Sequence, residues 1–281
     1  MRGHSTLGLD RLQRLPFSIG PVARYPVSES AIDLAYEVSG ECSKPVILLI
    51  HGGTANRRAW DLVTPALRAR YRIVAVDLRG HGQSPAPDHG YSALQLSADI
   101  NRLIDELGLG QITVVGHSLG GMAAIFLAVH RADVVKRLVL LNVPVTPNSI
   151  GALARLEARL RSPGFFPVTQ AFVDEWSSLP QATPAAFQAI KQDHIRALRP
   201  IVWQRVFAEL VDADMTSTLS SIRQPTLVLW GAEDGLLGAA QCEQLQTGIE
   251  NVRVVMMPDA GHSPSSAAPD RVAAEIAAFA A

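Results

Sequence analysis

The sequence has few cysteines, almost no net charge and no long apolar runs, and each of these shortages excludes some classes of protein or partner. Cys42 and Cys242 are the only cysteines in 281 residues, so a disulfide framework and a thiolate metal motif are both excluded. A net charge of −1 gives no electrostatic reason to expect nucleic acid or an anionic membrane as a partner. The longest apolar stretches have only the length of a strand, so no membrane-spanning helix is predicted.

The N-terminal segment also lacks the continuous apolar stretch of a secretory signal, because Arg2, Asp10, Arg11 and Arg14 interrupt it. Residues 1–21 are interpreted as an N-terminal extension, either a weakly ordered tail or a short amphipathic turn that docks on the body. With the two cysteines taken as reduced thiols, a cytoplasmic protein is the simplest hypothesis.

Short apolar runs alternate with helical patterns along most of the chain. Residues 22–28 and 31–38 predict an antiparallel pair of strands, and the continuous apolar runs 46–50 and 72–76 predict strands buried on both faces. This alternation, repeated to the C-terminus, predicts an α/β fold with a mostly parallel sheet and helices on both faces. Ligands of such sheets bind beyond the carboxyl ends of the strands.

The alternation stops between residues 144 and 221, where helical patterns are broken by prolines. We therefore predict a first core part at 22–143, a helical lid insertion at 144–221 and a second core part at 222–281. Most aromatic side chains of the insertion are expected to form its own core. Others should line a mainly apolar pocket, and Phe165, Trp176 and Trp203 are the candidates for substrate contact.

The stretch Thr113–Gly121 predicts a nucleophile on a sharp turn between a strand and a helix. Ser118 lies between Gly116 and Gly120, and small residues are needed where the backbone of such a turn is strained and neighbouring chain passes close. The positive end of the following helix would point at a group bound there. Ser118 is therefore the candidate nucleophile.

A serine hydroxyl needs a base within hydrogen-bond reach, and histidine suits that role because its pKa lies near neutrality. His262 follows the last predicted strand and comes after both Ser118 and a free carboxylate. Asp234 follows the preceding strand and is the candidate acid, with Glu233 as the alternative. The order Ser, Asp, His, each on a loop after a strand, is the order of a catalytic triad on this kind of sheet.

A serine nucleophile also requires two donors for the oxyanion. Leu119 N–H follows the nucleophile directly, and the second donor is predicted at Gly53 N–H, with Thr54 as the alternative. His51 is predicted to brace this loop rather than act as a base, and to lie at the substrate site. The histidines show no metal-like spacing, and neither a Gly-x-Gly-x-x-Gly nor a Walker loop is present, so no metal and no cofactor are predicted.

Taken together, five segments resemble the α/β-hydrolase superfamily, from about residue 22 to the end. They are His51-Gly52-Gly53, Asp77-Leu78-Arg79-Gly80-His81-Gly82-Gln83-Ser84, Gly116-His117-Ser118-Leu119-Gly120-Gly121, Gly231-Ala232-Glu233-Asp234 and Ala260-Gly261-His262-Ser263. The resemblance implies an eight-stranded core, a helical lid and a triad of Ser118, Asp234 and His262. Within the superfamily the chain is similar to small carboxylesterases, enol-lactone hydrolases and cofactor-free haloperoxidases. Its serine departs from the haloalkane dehalogenases and epoxide hydrolases, whose nucleophile is aspartate.

The expected function is hydrolysis of a small to medium hydrophobic carboxylic ester or lactone through an acyl-enzyme. Other chemistries of the same triad stay open: cleavage of a carbon–carbon bond, transfer of an acyl group to another acceptor, haloperoxidase-type activity, or slow turnover in a ligand sensor. The expected partner is a small molecule, with no nucleic acid and no membrane, and a homodimer is left open.

Overall fold

A computed structural model describes residues 31–165, 169–177 and 185–281. The predicted extension at 1–21 and the predicted first strand at 22–28 lie outside these residues. None of the helices in the described part of the chain has both the length and the apolar character that a membrane crossing requires.

The described residues form one seven-stranded sheet in the order β1-β3-β2-β4-β5-β6-β7. The strands are β1 (Tyr36–Ser39), β2 (Val46–Ile50), β3 (Arg72–Val76), β4 (Ile112–His117), β5 (Val135–Leu141), β6 (Thr226–Gly231) and β7 (Val252–Met257). Only β1 is antiparallel to its neighbour, and the other pairs are parallel. This confirms the predicted α/β fold. The described residues contain seven strands and not the expected eight, because the predicted first strand at 22–28 lies outside them.

The central strands are apolar throughout because helices cover both faces of the sheet. Alternate residues of one strand pack into different layers: Leu48 and Ile50 join the larger core, and Ile47 and Leu49 join the smaller one. All four side chains are fully buried. The period of two along each strand therefore builds two hydrophobic cores, one on each side of the sheet.

Eleven α-helices lie in the described residues. They are α1 (Thr64–Leu67), α2 (Ala93–Glu106), α3 (Leu119–His130), α4 (Gly151–Arg161), α5 (Gln170–Ser177), α6 (Ala185–Ala197), α7 (Pro200–Val211), α8 (Thr216–Leu219), α9 (Ala239–Gly248), α10 (Pro264–Ala267) and α11 (Pro269–Ala280). The side chain of Ser92 caps α2 by accepting a hydrogen bond from Gln95 N–H, and serine is a favoured residue at this position of a helix.

Helices α4 to α8 lie between β5 and β6, where the sequence shows no strand pattern. Their inner surface is aromatic: Trp203 packs edge to face on Phe172 and Trp176 and stacks on Phe207, with ring centroids 5.2 to 5.7 Å apart. Such contacts add to the free energy of burying the rings. This segment therefore has a core of its own that is continuous with the larger core of the sheet.

Candidate active site

Ser118 occupies a strained turn between β4 and α3. Its backbone has φ 50° and ψ −122°, a region that residues other than glycine rarely adopt. The strain places Ser118 at the N-terminus of the twelve-residue helix α3, where the first N–H groups have no carbonyl partner within the helix. The hydroxyl therefore lies next to a site that favours negative charge.

The glycines around Ser118 are required by close packing. A Cβ on Gly116 would come within 2.6 Å of Gly120 O, and one on Gly120 would collide with the carbonyl of His51. A Cβ on Gly52 would lie 2.8 Å from the His117 ring. The loop after β2 is thus pressed against the turn that carries Ser118, which explains the small residues on both sides.

The structure brings together the three residues predicted as a triad. The Ser118 hydroxyl lies 3.2 Å from His262 Nε2, within reach for donating to it, and His262 Nδ1 donates to Asp234 Oδ2 over 2.9 Å. Asp234 follows β6 and His262 follows β7, so both side chains reach the carboxyl edge of the sheet next to Ser118. Glu233, the alternative acid, is exposed.

Asp234 is held as a carboxylate by its hydrogen bonds. Its Oδ1 accepts from the N–H groups of Leu236 and Leu237, at 2.9 and 3.1 Å, and its Oδ2 accepts from Asn142 Nδ2 at 2.6 Å as well as from His262. Burial by itself would raise the pKa of Asp234, but the nearby His262 and these donors hold that pKa well below its ordinary value. A carboxylate of this kind can orient a neutral imidazole and stabilise its protonated form.

The loop after β2 places candidate oxyanion donors beside Ser118. Gly53, Thr54 and Leu119 all line the cavity in front of the serine hydroxyl. Ala55 N–H donates to the Gly52 carbonyl over 3.2 Å, which closes a tight turn. The N–H groups of Gly53 and Thr54 belong to that turn, so both remain candidates for the second oxyanion donor.

Two buried histidines hold the peptides of this loop. His51 Nε2 accepts from Leu78 N–H, and its Nδ1 donates to the Gly52 carbonyl, which belongs to the peptide that carries Gly53 N–H. His81 Nε2 contacts the carbonyl of Gly53 at 2.9 Å. His51 therefore braces the loop, as predicted, by fixing the peptide that carries one candidate donor.

A cleft enclosing about 870 Å³, part of it open to solvent, lies in front of Ser118 and His262. One part of its wall comes from the helices between β5 and β6, and most of the side chains there are apolar. They include Leu153, Trp176, Phe187, Phe207 and Leu210. Trp176 is also tied to the loop after β2, because its Nε1–H donates to Thr54 Oγ1 over 3.3 Å.

Three of the four residues predicted to contact substrate do not line this cleft. His51 is completely buried and both its ring nitrogens are used by the backbone. Trp203 is also completely buried, within the aromatic cluster, and Phe165 packs behind the wall, against Phe172 and the guanidinium of Arg159. Trp176 alone of the four lines the cleft.

Sequence reasoning missed several polar residues of the site. Asn142 follows β5, and its Nδ2 donates to Asp234 Oδ2 over 2.6 Å. His117 is buried, and its Nε2 donates to the carbonyl of His262 over 2.7 Å. Lys191 and His194, which lie on α6, line the cleft. The described residues contain no group of three or more His, Cys, Asp or Glu side chains placed to hold a metal ion.

The sheet is mostly parallel, and hydrogen-bonded serine, histidine and aspartate side chains lie beyond its carboxyl edge. This arrangement is typical of a hydrolase built on an α/β sheet. A model of the alpha/beta hydrolase family matches residues 47–275, and the chain belongs to that family.

Its relatives catalyse several kinds of hydrolysis. Epoxide hydrolase 4 of Mus musculus is 25% identical over 287 residues, which cover 93% of this chain and 80% of the relative. The enol-lactonase of Burkholderia xenovorans LB400 superposes with a TM-score of 0.77 at 26% identity, over 89% of this chain and 98% of that one. A thermophilic esterase from Thermogutta terrifontis superposes with a TM-score of 0.77 at 27% identity, over 88% and 93%. The protein is therefore an enzyme of the hydrolase class.

Proposed function

We propose that the protein is a serine hydrolase that cleaves a carboxylic ester or lactone through an acyl-enzyme. The observation that carries this proposal is the continuous hydrogen-bonded series Ser118 Oγ, His262 Nε2, His262 Nδ1, Asp234 Oδ2 at the wall of a mainly apolar cleft. The series supplies a nucleophile and a base that line space for a substrate, and an acid that holds the base.

In the acylation step, Ser118 Oγ attacks the ester carbonyl carbon while His262 Nε2 takes the hydroxyl proton. The carbonyl oxygen becomes an oxyanion, which accepts hydrogen bonds from Leu119 N–H and from Gly53 N–H, or Thr54 N–H in its place. The carbon–oxygen bond to the alcohol then breaks, and His262 returns the proton to the leaving oxygen. Asp234 stabilises the imidazolium throughout because it remains ionised.

In the deacylation step, water takes the place of the alcohol. His262 accepts a proton from that water as its oxygen attacks the acyl carbon, and the same donors hold the second oxyanion. Breaking the bond to Ser118 Oγ releases the carboxylic acid and returns the proton to the serine. For a lactone, acid and alcohol leave as one molecule.

A serine nucleophile favours acyl substrates over epoxides. If Ser118 opened an epoxide, the product would be an alkyl ether of serine, and water does not cleave an ether under these conditions. A carboxylate nucleophile would instead form an ester, which water can hydrolyse. Several relatives are epoxide hydrolases, but the position that would need a carboxylate holds Ser118.

We also assign the helices between β5 and β6 the role of a lid, because they supply part of the wall of the cleft that Ser118 lines. The apolar side chains on that wall would exclude water from the acyl group and bury its hydrocarbon part. The contact between Trp176 and Thr54 would link this lid to the loop that carries the oxyanion donors.

A panel of methyl esters, lactones and epoxides tests the proposal, with the wild-type protein and Ser118→Ala compared by acid or diol release. We expect turnover of esters or lactones but not of epoxides, and a loss of at least about 10³-fold in the variant. The melting temperature of the variant should remain that of the wild type. A variant that kept wild-type turnover, or a wild type that cleaved only epoxides, would contradict the proposal.

A further inference from the structure

One face of α6 turns polar groups toward the cleft. Phe187, Lys191 and His194 stand at positions i, i+4 and i+7 of this helix, a spacing that places them in one row on the helix surface. All three line the cleft with Ser118 and His262. The mainly apolar wall formed by the helices between β5 and β6 therefore carries one cation and one imidazole.

Lys191 is short of negative partners. Among the described residues its Nζ has one hydrogen-bond acceptor, the carbonyl of Ser177 at the C-terminus of α5, over a long 3.4 Å. An ammonium group has three donors, so further N–H groups are available to a ligand. Burial lowers the pKa of Lys191 to about 8, which leaves the side chain mostly charged at neutral pH.

His194 carries an unused polar atom. The residue is 8% exposed, and its Nε2 is buried and has no hydrogen-bond partner among the described residues. An unsatisfied buried nitrogen costs free energy, which a ligand oxygen would recover. Burial, with the nearby charge of Arg58, lowers the pKa of His194 to about 4, so the ring is neutral near pH 7 and can donate a single N–H.

No acidic side chain balances this pair inside the cleft. Among the described residues that line the cleft, none is an aspartate or a glutamate. Asp234 is directed to His262 and Asn142, and Asp193, beside His194 in sequence, pairs with the exposed Arg196. A buried cation without a counter-charge is costly, so the cleft favours a ligand that brings the negative charge itself.

We propose that Lys191 Nζ and His194 Nε2 form a carboxylate-binding subsite, so that the substrate carries a carboxylate on the part lying against α6. This inference rests on the proposed function, because it specifies the ester or lactone that Ser118 would cleave. The substrate is thus the monoester or carboxyl-bearing lactone of a dicarboxylic acid. Its hydrocarbon segment lies against the apolar wall and its free carboxylate lies against the pair.

Matched esters test the subsite. The first set comprises the monomethyl esters of glutaric, adipic and pimelic acids, and the second the methyl esters of pentanoic, hexanoic and heptanoic acids. We expect Lys191→Met to lower kcat/KM for the first set about tenfold to a hundredfold, mainly through KM, and to affect kcat/KM for the second set far less. Lys191→Arg should keep the preference for the first set. Arg196→Met removes an exposed charge from the same helix and should change neither set.

A binding measurement separates this inference from the proposed function. Ser118→Ala protein, with and without Lys191→Met, is titrated calorimetrically with glutarate, adipate and pimelate. We expect binding that Lys191→Met abolishes. If the wild-type protein cleaves no ester, the proposed function fails while this titration still decides the subsite. Equal losses for both ester sets would show that Lys191 has a structural role, and this would overturn the inference. Diacid binding that Lys191→Met leaves unchanged would also overturn it. So would a Ser118→Ala protein that binds none of the three diacids.

Discussion

Asn142 Nδ2 donates a 2.6 Å hydrogen bond to Asp234 Oδ2, the same oxygen that accepts from His262. Asn142 Oδ1 in turn accepts from Gly231 N–H at the end of β6. Its backbone has φ 41°, a conformation that asparagine tolerates better than most residues. The amide is thereby fixed at both ends and holds the carboxylate in the orientation that faces the imidazole.

Replacing this amide should slow the chemical step. Asn142→Gly keeps a residue that accepts the positive φ, but it removes the donor to Asp234. We expect kcat on a methyl ester to fall about tenfold with KM unchanged. That loss is far smaller than the roughly 10⁴-fold loss expected when the acid itself is replaced. Steady-state kinetics check this, and turnover equal to wild type would show that Asp234 needs no support from Asn142.

The glycines at the nucleophile turn should tolerate no side chain. Gly120→Ala would drive a methyl group into the carbonyl of His51. The backbone must then move, so we expect loss of activity and a lower melting temperature. Gly110→Ala is the matched control, since nothing lies within 4 Å of a Cβ there. Calorimetry and ester assays compare the two variants, and an active, stable Gly120→Ala protein would contradict the packing described for the turn.

The buried ion pair of Arg79 and Asp99 should be important for stability. Arg79 Nε and Nη2 donate to the two carboxylate oxygens of Asp99, both over 2.6 Å, and both residues are 1% exposed. Asp99→Asn would leave a buried guanidinium without its counter-charge and should lower the free energy of unfolding by about 3–5 kcal/mol. Glu106→Gln, which removes an exposed carboxylate from the same helix, should cost no more than about 1 kcal/mol. Urea denaturation of both variants measures the difference, and equal effects would be inconsistent with the buried pair.

Stability should fall as the solution becomes mildly acidic. Burial lowers the pKa of His51, that of His117 to about 3 and that of His194 to about 4. An unfolded histidine takes up a proton near pH 6.5, so below that pH the unfolded chain binds more protons than the folded one. The free energy of unfolding therefore decreases as the pH falls below about 6.5. The contribution of these buried histidines to that free energy has its full value only above about pH 6.5.

The pH dependence can be measured by urea denaturation at about pH 7.5 and about pH 5.5. The wild-type midpoint should be lower at the acidic pH. His194→Leu, which sacrifices no hydrogen bond to the described residues, should reduce the difference. Midpoints that do not change with pH would show that these histidines are not held neutral by the fold.

The sheet and the three hydrogen-bonded site residues were predictable because both depend on local pattern and topology. A strand buried on both faces is a continuous apolar run, and Ser118, Asp234 and His262 each follow such a run. Parallel strands bring the loops after them to one edge. Asn142 was harder to interpret, because its role depends on the contact between the loops after β5 and β6, which the sequence does not express.

The cleft wall was the least predictable part. Trp203 and Phe207 lie four residues apart on α7, yet Phe207 lines the cleft and Trp203 does not. Both residues are aromatic, and both are almost completely buried in the fold. The residue type therefore does not indicate which of the two lines the cleft. What decides between them is the rotation and tilt of α7 against its neighbours, which packing determines.

Covalent labelling of Ser118 is the most direct test of the central claim. The wild-type protein and Ser118→Ala are treated with a fluorophosphonate and examined by intact-protein and peptide mass spectrometry. We predict one adduct per wild-type molecule, located at Ser118 and formed in step with the loss of ester hydrolysis, and no adduct on Ser118→Ala. An adduct at another residue, or full esterase activity after complete labelling, would contradict the assignment of Ser118 as the nucleophile.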